Sequence, residues 1–490
     1  MNEELPPTKE LLSDLGKKAK EEGRYRDAID LCKQILRDYP SDAMTYANMA
    51  GVYSQMSSWK MALELFEKAR NLAPTTPRHH DDFVYFLHHA PVSEEALSRA
   101  HREYGELMLP RELPLPPRAS RNAKIRLGYL SADLHEHATA FLLEAILEHH
   151  DKSQFEIFLY STDSLHDRFT ERLTKHAGTI RVLREKSPDS IREQIIADQI
   201  DILIDLGGHT GSNNLEVFAL RAAPLQVSWF SYMDTSGLRA IDYRITDSWR
   251  TPPHRARFYT EELIYLTNSY TFKPPLDLLP PLTPLPALAG APFTFGSFNT
   301  SHKINELTLD LWSALLARHT SARLLIMIPK SAEYRDWILG EFEKRSIKKE
   351  RIVPHEYTTL EGLYALMGKV DTALDTYPYT GGATTYHSLL AGLPTITLKG
   401  RTEYERNSGA IMHEVGLDDW IANSPDEYLA LALKKSANLP ALAQLRPTLR
   451  SRVGAHSREI VREVEGAFVR ALTQIRATKH LSRAQQTIAR

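Results

Sequence analysis

A chain of 490 residues has room for roughly three or four domains at the usual 100–200 residues each. Hydrophobic residues make up 42% and charged residues 25%, with a formal net charge of −2, so sizeable cores can be buried and bulk electrostatics favour neither nucleic acid nor an anionic membrane. The single cysteine, Cys32, excludes an intrachain disulfide framework and a thiolate metal site.

The N-terminus, MNEELPPTKE, has neither the basic nor the apolar region of a secretory leader. No run of about 18 apolar residues occurs anywhere in the chain. Cytoplasmic residence is the expectation.

Residues 1–108 read as an all-α tetratricopeptide module. Ala28 and Ala62, Cys32 and Phe66, Ile35 and Ala69, and Pro40 and Pro74 each lie 34 residues apart (62 − 28 for the first pair), the period of that repeat. In the second copy Tyr46, Ala50, Tyr53, Ala62, Phe66, Ala69 and Pro74 give the required alternation of small and large residues. A degenerate third pair is expected over His80–Met108. Such repeats serve either as a peptide-binding groove or as a stabilising module, and both readings stand. The histidine pairs His79-His80, His88-His89 and His149-His150 are expected at the surface.

A Pro- and Arg-rich link, 109–124, precedes a β/α series over 125–273. Its strands are expected at Ile125–Asp133, Phe155–Asp163, Asp201–Thr210, Leu225–Tyr232, Tyr243–Asp247 and Leu263–Leu266, with helices near 165–176 and 188–199. This pattern predicts a doubly wound parallel sheet whose ligands collect at the carboxyl ends of the strands, where His137, Asp205, His209 and Asp234 fall. The proline-dense stretch 274–290 is a second linker. A second Rossmann-like domain is expected over 291–425, and C-terminal helices with a polar tail over 426–490.

Within the second α/β domain, Asp371–Pro394 reads as strand, glycine-rich turn and helix. The turn Tyr379–Thr385 leads into a helix over Tyr386–Ala391, which Gly392 and Pro394 stop, and TITL (Thr395–Leu398) is the next strand. Backbone amides near Gly381 and Gly382, the helix dipole and the Thr384 and Thr385 hydroxyls together suit a phosphate or diphosphate. The stretch is neither a Walker P-loop nor a dinucleotide fingerprint. His135-Glu136-His137 does not have HExxH spacing and Asp371 and Asp375 bracket a strand end, so no metal is expected.

The segments RLGYLSADLHEHAT, DILIDLGGHT, APLQVSWFSYMDTSGLRAIDYRITD, FGSFNTSHKI, LDTYPYTGGATTYHSLLAGLPTITL and VGLDDWIANSPDEY resemble, in order, the catalytic region of the O-GlcNAc transferase/SPINDLY family. The resemblance covers about Ile125–Tyr428. It implies two Rossmann-like domains facing across a cleft (GT-B type) and an inverting, metal-independent transferase acting on Ser or Thr of a protein. The family's histidine in the first βα loop falls on His137, a general base or an orienting group. Its diphosphate-neutralising lysine falls on Lys303, and its phosphate-binding turn on Gly381, Gly382, Ala383, Thr384 and Thr385. His209 matches a position lining the cleft, and a packed histidine is the equal alternative. Animal members carry histidine where Ala383 stands, glutamine where Thr300 stands, and a ribose-binding carboxylate where His387 stands; the resemblance thus implies His387 as a donor-binding residue that meets the ribose with one hydrogen bond.

The expected reaction is therefore transfer of N-acetylglucosamine from UDP-GlcNAc to a protein or peptide acceptor, without a further cofactor and without nucleic acid or membrane partners. GDP-fucose or another nucleotide sugar, as in flagellin-type glycosylation, is an alternative donor. A tetratricopeptide scaffold with a degenerate transferase domain is the alternative from another class.

Overall fold

The computed structural model describes residues 8–111, 113, 116 and 124–488, with Pro110 and 475–488 described by backbone alone. The link at 109–124 therefore lies mostly outside the described residues.

Six helices open the chain: α1 (Lys9–Glu21), α2 (Tyr25–Asp38), α3 (Ala43–Gln55), α4 (Trp59–Leu72), α5 (Pro77–Leu87) and α6 (Glu94–Met108). α3 starts 34 residues after α1 (43 − 9) and α4 starts 34 after α2 (59 − 25), the period read in the sequence. Ala19, Ala28, Ala50 and Ala62 have no exposed surface, so the helices approach closely over small side chains. Thr8 and Asp42 cap α1 and α3 by accepting from Leu11 N and Thr45 N.

Two parallel sheets follow. The first contains β1 (Ile125–Ser131), β2 (Phe155–Ser161), β3 (Thr179–Val182), β4 (Ile202–Asp205), β5 (Leu225–Ser228), β6 (Tyr243–Asp247) and β7 (Glu262–Leu266), in the order β3-β2-β1-β4-β5-β6-β7. Its helices are α7 (Ala138–Leu147), α8 (Arg168–His176), α9 (Pro188–Ala197) and α10 (Leu215–Ala219).

The second sheet contains β8 (Thr294–Ser297), β9 (Arg323–Ile328), β10 (Ile352–Glu356), β11 (Thr372–Leu374), β12 (Thr395–Leu398) and β13 (Ile421–Ala422), in the order β10-β9-β8-β11-β12-β13. Its helices are α11 (Glu306–Arg318), α12 (Ala332–Lys344), α13 (Leu360–Met367), α14 (Ala383–Leu390), α15 (Glu403–Glu414), α16 (Pro425–Ser436) and α17 (Leu439–Leu445), and α18 (Ser457–Ile488) ends the chain. Both sheets have the doubly wound order in which the first strand lies beside the fourth, which leaves a crevice at the carboxyl ends of those two strands.

The chain divides into two compact units that do not follow its linear order. Residues up to Leu97 group with Pro275–Val453, and Ser98–Pro274 group with the chain from Gly454 onward. The third helical pair expected over His80–Met108 is thus divided. α6 is built into the first sheet's core, where Tyr104 and Met108 pack with Leu130, Phe158 and Leu203. The C-terminal stretch 426–490 divides as well: α16 and α17 belong with the second sheet, and α18 with the first. The polar tail expected from Ser482 is the end of α18, helical as far as Ile488.

The helical hairpins are bonded to the second sheet's domain within their unit. Ser57 Oγ donates to Ser301 O at 2.7 Å and shares a 2.9 Å bond with Tyr334 OH, and Ser331 Oγ donates to Gly23 O at 2.6 Å. His79, His80, His88, His89 and His150 are buried and His149 half-buried, which corrects the expectation of surface pairs. Among the described residues no helix is long and apolar enough to cross a membrane.

His150 anchors α18. Its Nδ1 lies 2.9 Å from Glu465 Oε1 and its Nε2 2.7 Å from Tyr129 OH, while Asp151 N–H donates to the same Glu465 oxygen at 2.8 Å. Removing the carboxylate strands the buried His150 imidazole at about 1–3 kcal/mol and leaves the part-buried Asp151 N–H without its acceptor at about 1 kcal/mol. Glu465→Ala is therefore expected to lower unfolding free energy by about 2–4 kcal/mol in a urea titration. It should also speed amide hydrogen exchange across 457–474, whereas unchanged exchange there would show that α18 is held elsewhere.

Candidate functional site

The phosphate turn is organised by Asp375, one residue past β11. Its carboxylate accepts from Gly381 N (2.8 Å), Thr376 N (2.9 Å), Asn299 Nδ2 (3.2 Å) and Thr397 Oγ1 (2.7 Å). Burial raises its pKa, and hydrogen bonds from Thr397, Ser408 and the Gly381 amide, with the nearby Lys303 charge, oppose the rise. From α15, Asn407 Nδ2 donates to Gly381 O at 3.1 Å and Ser408 N to Thr380 Oγ1 at 3.2 Å. Thr380 Oγ1 in turn donates to Tyr404 O at 2.6 Å. A Cβ on Gly381 would meet Thr385 Oγ1 at 2.4 Å, so the turn requires glycine there.

The sequence places Gly381–Thr385 in the turn, but α14 begins at Ala383, with Gly382 as its N-cap. Ala383, Thr384 and Thr385 are thus its first helical turn. Amides in that turn have no carbonyl four residues back to bond, and they carry the positive end of the helix dipole. Gly382, Ala383 and Thr384 are partly exposed, whereas Thr385 is buried and bonds Ser408 Oγ at 2.7 Å. The anion seat is therefore Gly382–Thr384, with Thr385 holding it from behind.

Lys303 reaches this seat from the loop after β8. Its Nζ donates to Thr380 O at 3.0 Å and stands 4.0 Å from the centroid of the Tyr379 ring. Burial lowers its pKa to about 8, opposed by Asp375, so it remains protonated at neutral pH. His302 beside it is pushed down to about 3 by burial and by the Lys303 charge, and is neutral. An ammonium, the amides of a helix's first turn and a buried carboxylate that ties down the turn between them form an arrangement suited to a diphosphate.

His387 is 6% exposed, and its Nδ1 lies 2.7 Å from the hydroxyl of Tyr364 on α13. Burial lowers its pKa to about 3. It packs behind α14 as a neutral histidine, against the expectation that it meets the donor's ribose.

In the first sheet's unit, His137 is the N-cap of α7. Thr139 N donates to its Nδ1 at 3.3 Å, and Thr139 Oγ1 and Asp133 Oδ2 lie 3.1 and 3.6 Å from the same nitrogen. Its side chain is 44% exposed. Crowding by protein lowers its pKa, opposed by Asp133 and assisted by His135. Because Nδ1 accepts the cap bond, the proton of the neutral ring sits on Nε2.

His209 is 1% exposed, and its Nε2–H donates to Ser236 O at 2.9 Å. The rings of His101, Tyr104 and Tyr232 surround it at 5.2, 4.6 and 5.1 Å. Glu261 fixes the same loop by accepting from Ser236 N and Thr235 Oγ1 at 2.7 and 2.5 Å. Gly237 has φ +76°, and a Cβ there would meet His101 O at 2.0 Å. His209 therefore supports the Thr235–Gly237 loop and is closed to a substrate, the packed-histidine alternative.

Sequence reasoning misses the roles of Asn299, Tyr379, Asn407, Ser408 and Glu261. Asp375 and Tyr379 lie inside the LDTYPY segment, and the polarity of that turn is the signal that could single them out.

The sequence profile of glycosyl transferase family 41 matches residues 70–283 and 286–458. Proteins named probable UDP-N-acetylglucosamine–peptide N-acetylglucosaminyltransferase SPINDLY are 32% identical over 378 residues in Solanum lycopersicum and 33% over 377 in Oryza sativa subsp. japonica. In each case the match takes in 73% of this chain and 40% of the relative, so the chain spans well under half of the relatives' length. A solved O-GlcNAc transferase from Thermobaculum terrenum superposes with a TM-score of 0.90 at 28% identity, over 96% of this chain and 92% of that one. Together with the two parallel sheets and the Lys303–α14 seat, these matches show that the chain belongs to glycosyl transferase family 41.

Proposed function

We propose that the chain is an inverting protein O-glycosyltransferase that moves N-acetylglucosamine from UDP to a Ser or Thr hydroxyl of a protein acceptor. The observation that carries this reading is Lys303 Nζ, 3.0 Å from Thr380 O beside the first turn of α14. The names of the plant relatives, UDP-N-acetylglucosamine–peptide N-acetylglucosaminyltransferases, support this donor and acceptor, and the likeness to a bacterial O-GlcNAc transferase supports the transferred sugar.

In the reaction the acceptor oxygen bonds to the anomeric carbon as the bond from that carbon to the β-phosphate oxygen breaks. The electron pair leaves with UDP, and negative charge develops on the β-phosphate. Lys303 and the amides of Gly382–Thr384 stabilise that charge most strongly in the transition state. This set of fixed positive groups gives the leaving group its compensation without calling on a metal ion. The acceptor's proton passes to a base. With Thr139 N bonded to Nδ1, His137 presents Nε2–H and orients an oxygen; as a base it needs the proton on Nδ1, held by Asp133 or Thr139 Oγ1. His209 and His387 are not assigned to the reacting groups.

Donor binding is tested by thermal shift with UDP, GDP, UDP-GlcNAc and GDP-fucose, beside Lys303→Ala. A ligand at about 100 times its Kd adds about 2.7 kcal/mol of apparent stability. UDP and UDP-GlcNAc are expected to stabilise the wild type and to lose most of that effect in the variant. A shift with GDP ligands alone would move the donor to GDP-fucose, and no shift with any would favour the scaffold reading.

The pH profile of kcat/KM with UDP-GlcNAc is expected to be bell-shaped. Protonation of His137, below its ordinary value of about 6.5, destroys the cap acceptor and gives the acid limb. Deprotonation of Lys303 gives an alkaline limb near pH 8. Asparagine is as good a helix cap as any residue, so His137→Asn should keep stability within a few tenths of a kcal/mol. It should nevertheless lose about 10²–10⁴ in turnover and lose the acid limb. Full activity in His137→Asn would reduce this residue to its cap.

A further inference from the structure

The C-terminal end of α5 and the turn that follows it, His88 and His89, pack on the phosphate turn and its neighbours. His88 stacks on Tyr404 at 4.0 Å between ring centroids, and His89 meets the rings of Tyr379 at 4.7 Å and His302 at 5.1 Å. Tyr379, which carries Lys303 over its ring, is enclosed by Tyr85 at 6.4 Å, His89 at 4.7 Å and Tyr404 at 4.4 Å. α5 therefore forms part of the immediate surroundings of the lysine.

His89 is 1% exposed, and among the described residues neither of its ring nitrogens has a hydrogen-bond partner. A buried imidazole in that state gives up hydrogen bonds to water that a phenylalanine never makes, so polarity does not explain its presence. Its contribution is that of an uncharged ring packed on Tyr379, Phe86 and His302. Without that ring, water would reach Tyr379 and the ammonium above it.

We propose that His89, supplied by the helical repeat region, is a positioning residue of the donor site: its ring closes the wall that keeps Lys303 dehydrated and held against the Thr380 carbonyl, where the diphosphate charge arrives. The proposal rests on the reading of Lys303 as a diphosphate ligand. The groups facing Lys303 are Asp375 and Tyr379 around the phosphate turn, His302 beside it in the chain, and His89 in the turn after α5, with Tyr85 and Tyr404 behind Tyr379. Asp375 favours the charged lysine, the two histidines disfavour their own protonation beside it, and burial lowers Lys303 to about 8.

The test is the Kd of UDP, measured calorimetrically on the full chain between pH 7 and 9. Ionisation of the nucleotide is common to every protein compared and cancels in ratios between them. A lysine that must be charged to bind and that titrates near 8 weakens wild-type binding about tenfold from pH 7 to pH 9. Opening the wall returns Lys303 toward its ordinary value of about 10.4. His89→Ala is then expected to bind more weakly at pH 7 and to lose less than about twofold up to pH 9. His89→Phe, which keeps an uncharged ring, should follow the wild type. His89→Gln, which retains bulk and so stays folded if alanine does not, brings water to the wall and should follow alanine. A tenfold fall in His89→Ala or His89→Gln equal to the wild type's overturns the proposal, as does a wild type that binds UDP with no fall. A wild type that binds neither UDP nor GDP overturns the donor reading itself.

Discussion

The buried carboxylate of Asp375 is the constraint on which the glycine-rich turn, and with it the proposed donor site, depends. A glycine-rich turn has no intrinsic reason to hold one shape, because glycine gives up the most backbone freedom on ordering. Four donors converging on one carboxylate supply that reason, and they include Gly381 N from the turn itself. The first sheet uses the same device at its fourth strand. Asp205, raised to about 6 by burial, accepts from Gly207 N and Gly208 N at 3.1 and 2.9 Å. In both sheets a strand-end acid fixes a loop at the crevice where a doubly wound fold collects its ligands. Beyond that shared device the two loops diverge. At Asp375 the chain turns into a helix whose first amides suit an anion, and at Asp205 it turns toward the buried His209.

The helical repeat region is legible in sequence as a module and is built in space as something else. Its period governs local structure, because small residues every 34 positions let neighbouring helices approach. It says nothing about which surface the hairpins seek. Ser57, Gly23 and Ser331 bond the hairpins to the second sheet's domain, while α6, from Ser98 on, joins the core of the first. These bonds join residues more than 240 positions apart, such as Ser57 and Ser301, and a single sequence carries no record of such pairings.

Legibility divides along the same line. Strands with continuous apolar runs, β1, β2, β9 and β12, are visible in sequence because each is nearly fully buried. β3 escapes because it is an edge strand of four residues with no fully buried member, and β13 because it has only two residues. Motif residues point to Lys303 and the Gly381–Thr385 turn, and the structure brings them together. The sequence pattern places the start of α14 three residues late, since Gly and Thr signal turns and helix N-termini alike. Polarity assigns the histidine pairs to the surface, yet an imidazole is flat and can be neutral. His89 and His302 pack as aromatic rings, kept uncharged by burial first, with the cation beside them adding to it.

His137 shows why a capping role and a chemical one need not compete. The cap bond from Thr139 N fixes the ring's orientation and, through Nδ1, its tautomer. A histidine free of such a bond would sample rotamers and lose the alignment that makes proximity worth several orders of magnitude. Thr139 is itself held, its Oγ1 lying 2.7 Å from Ser231 Oγ in the loop after β5. The chain of contacts runs from a loop of one strand, through the helix start, to the exposed imidazole. Each link costs the ring a degree of freedom, and the atom left open is Nε2, available to a substrate oxygen.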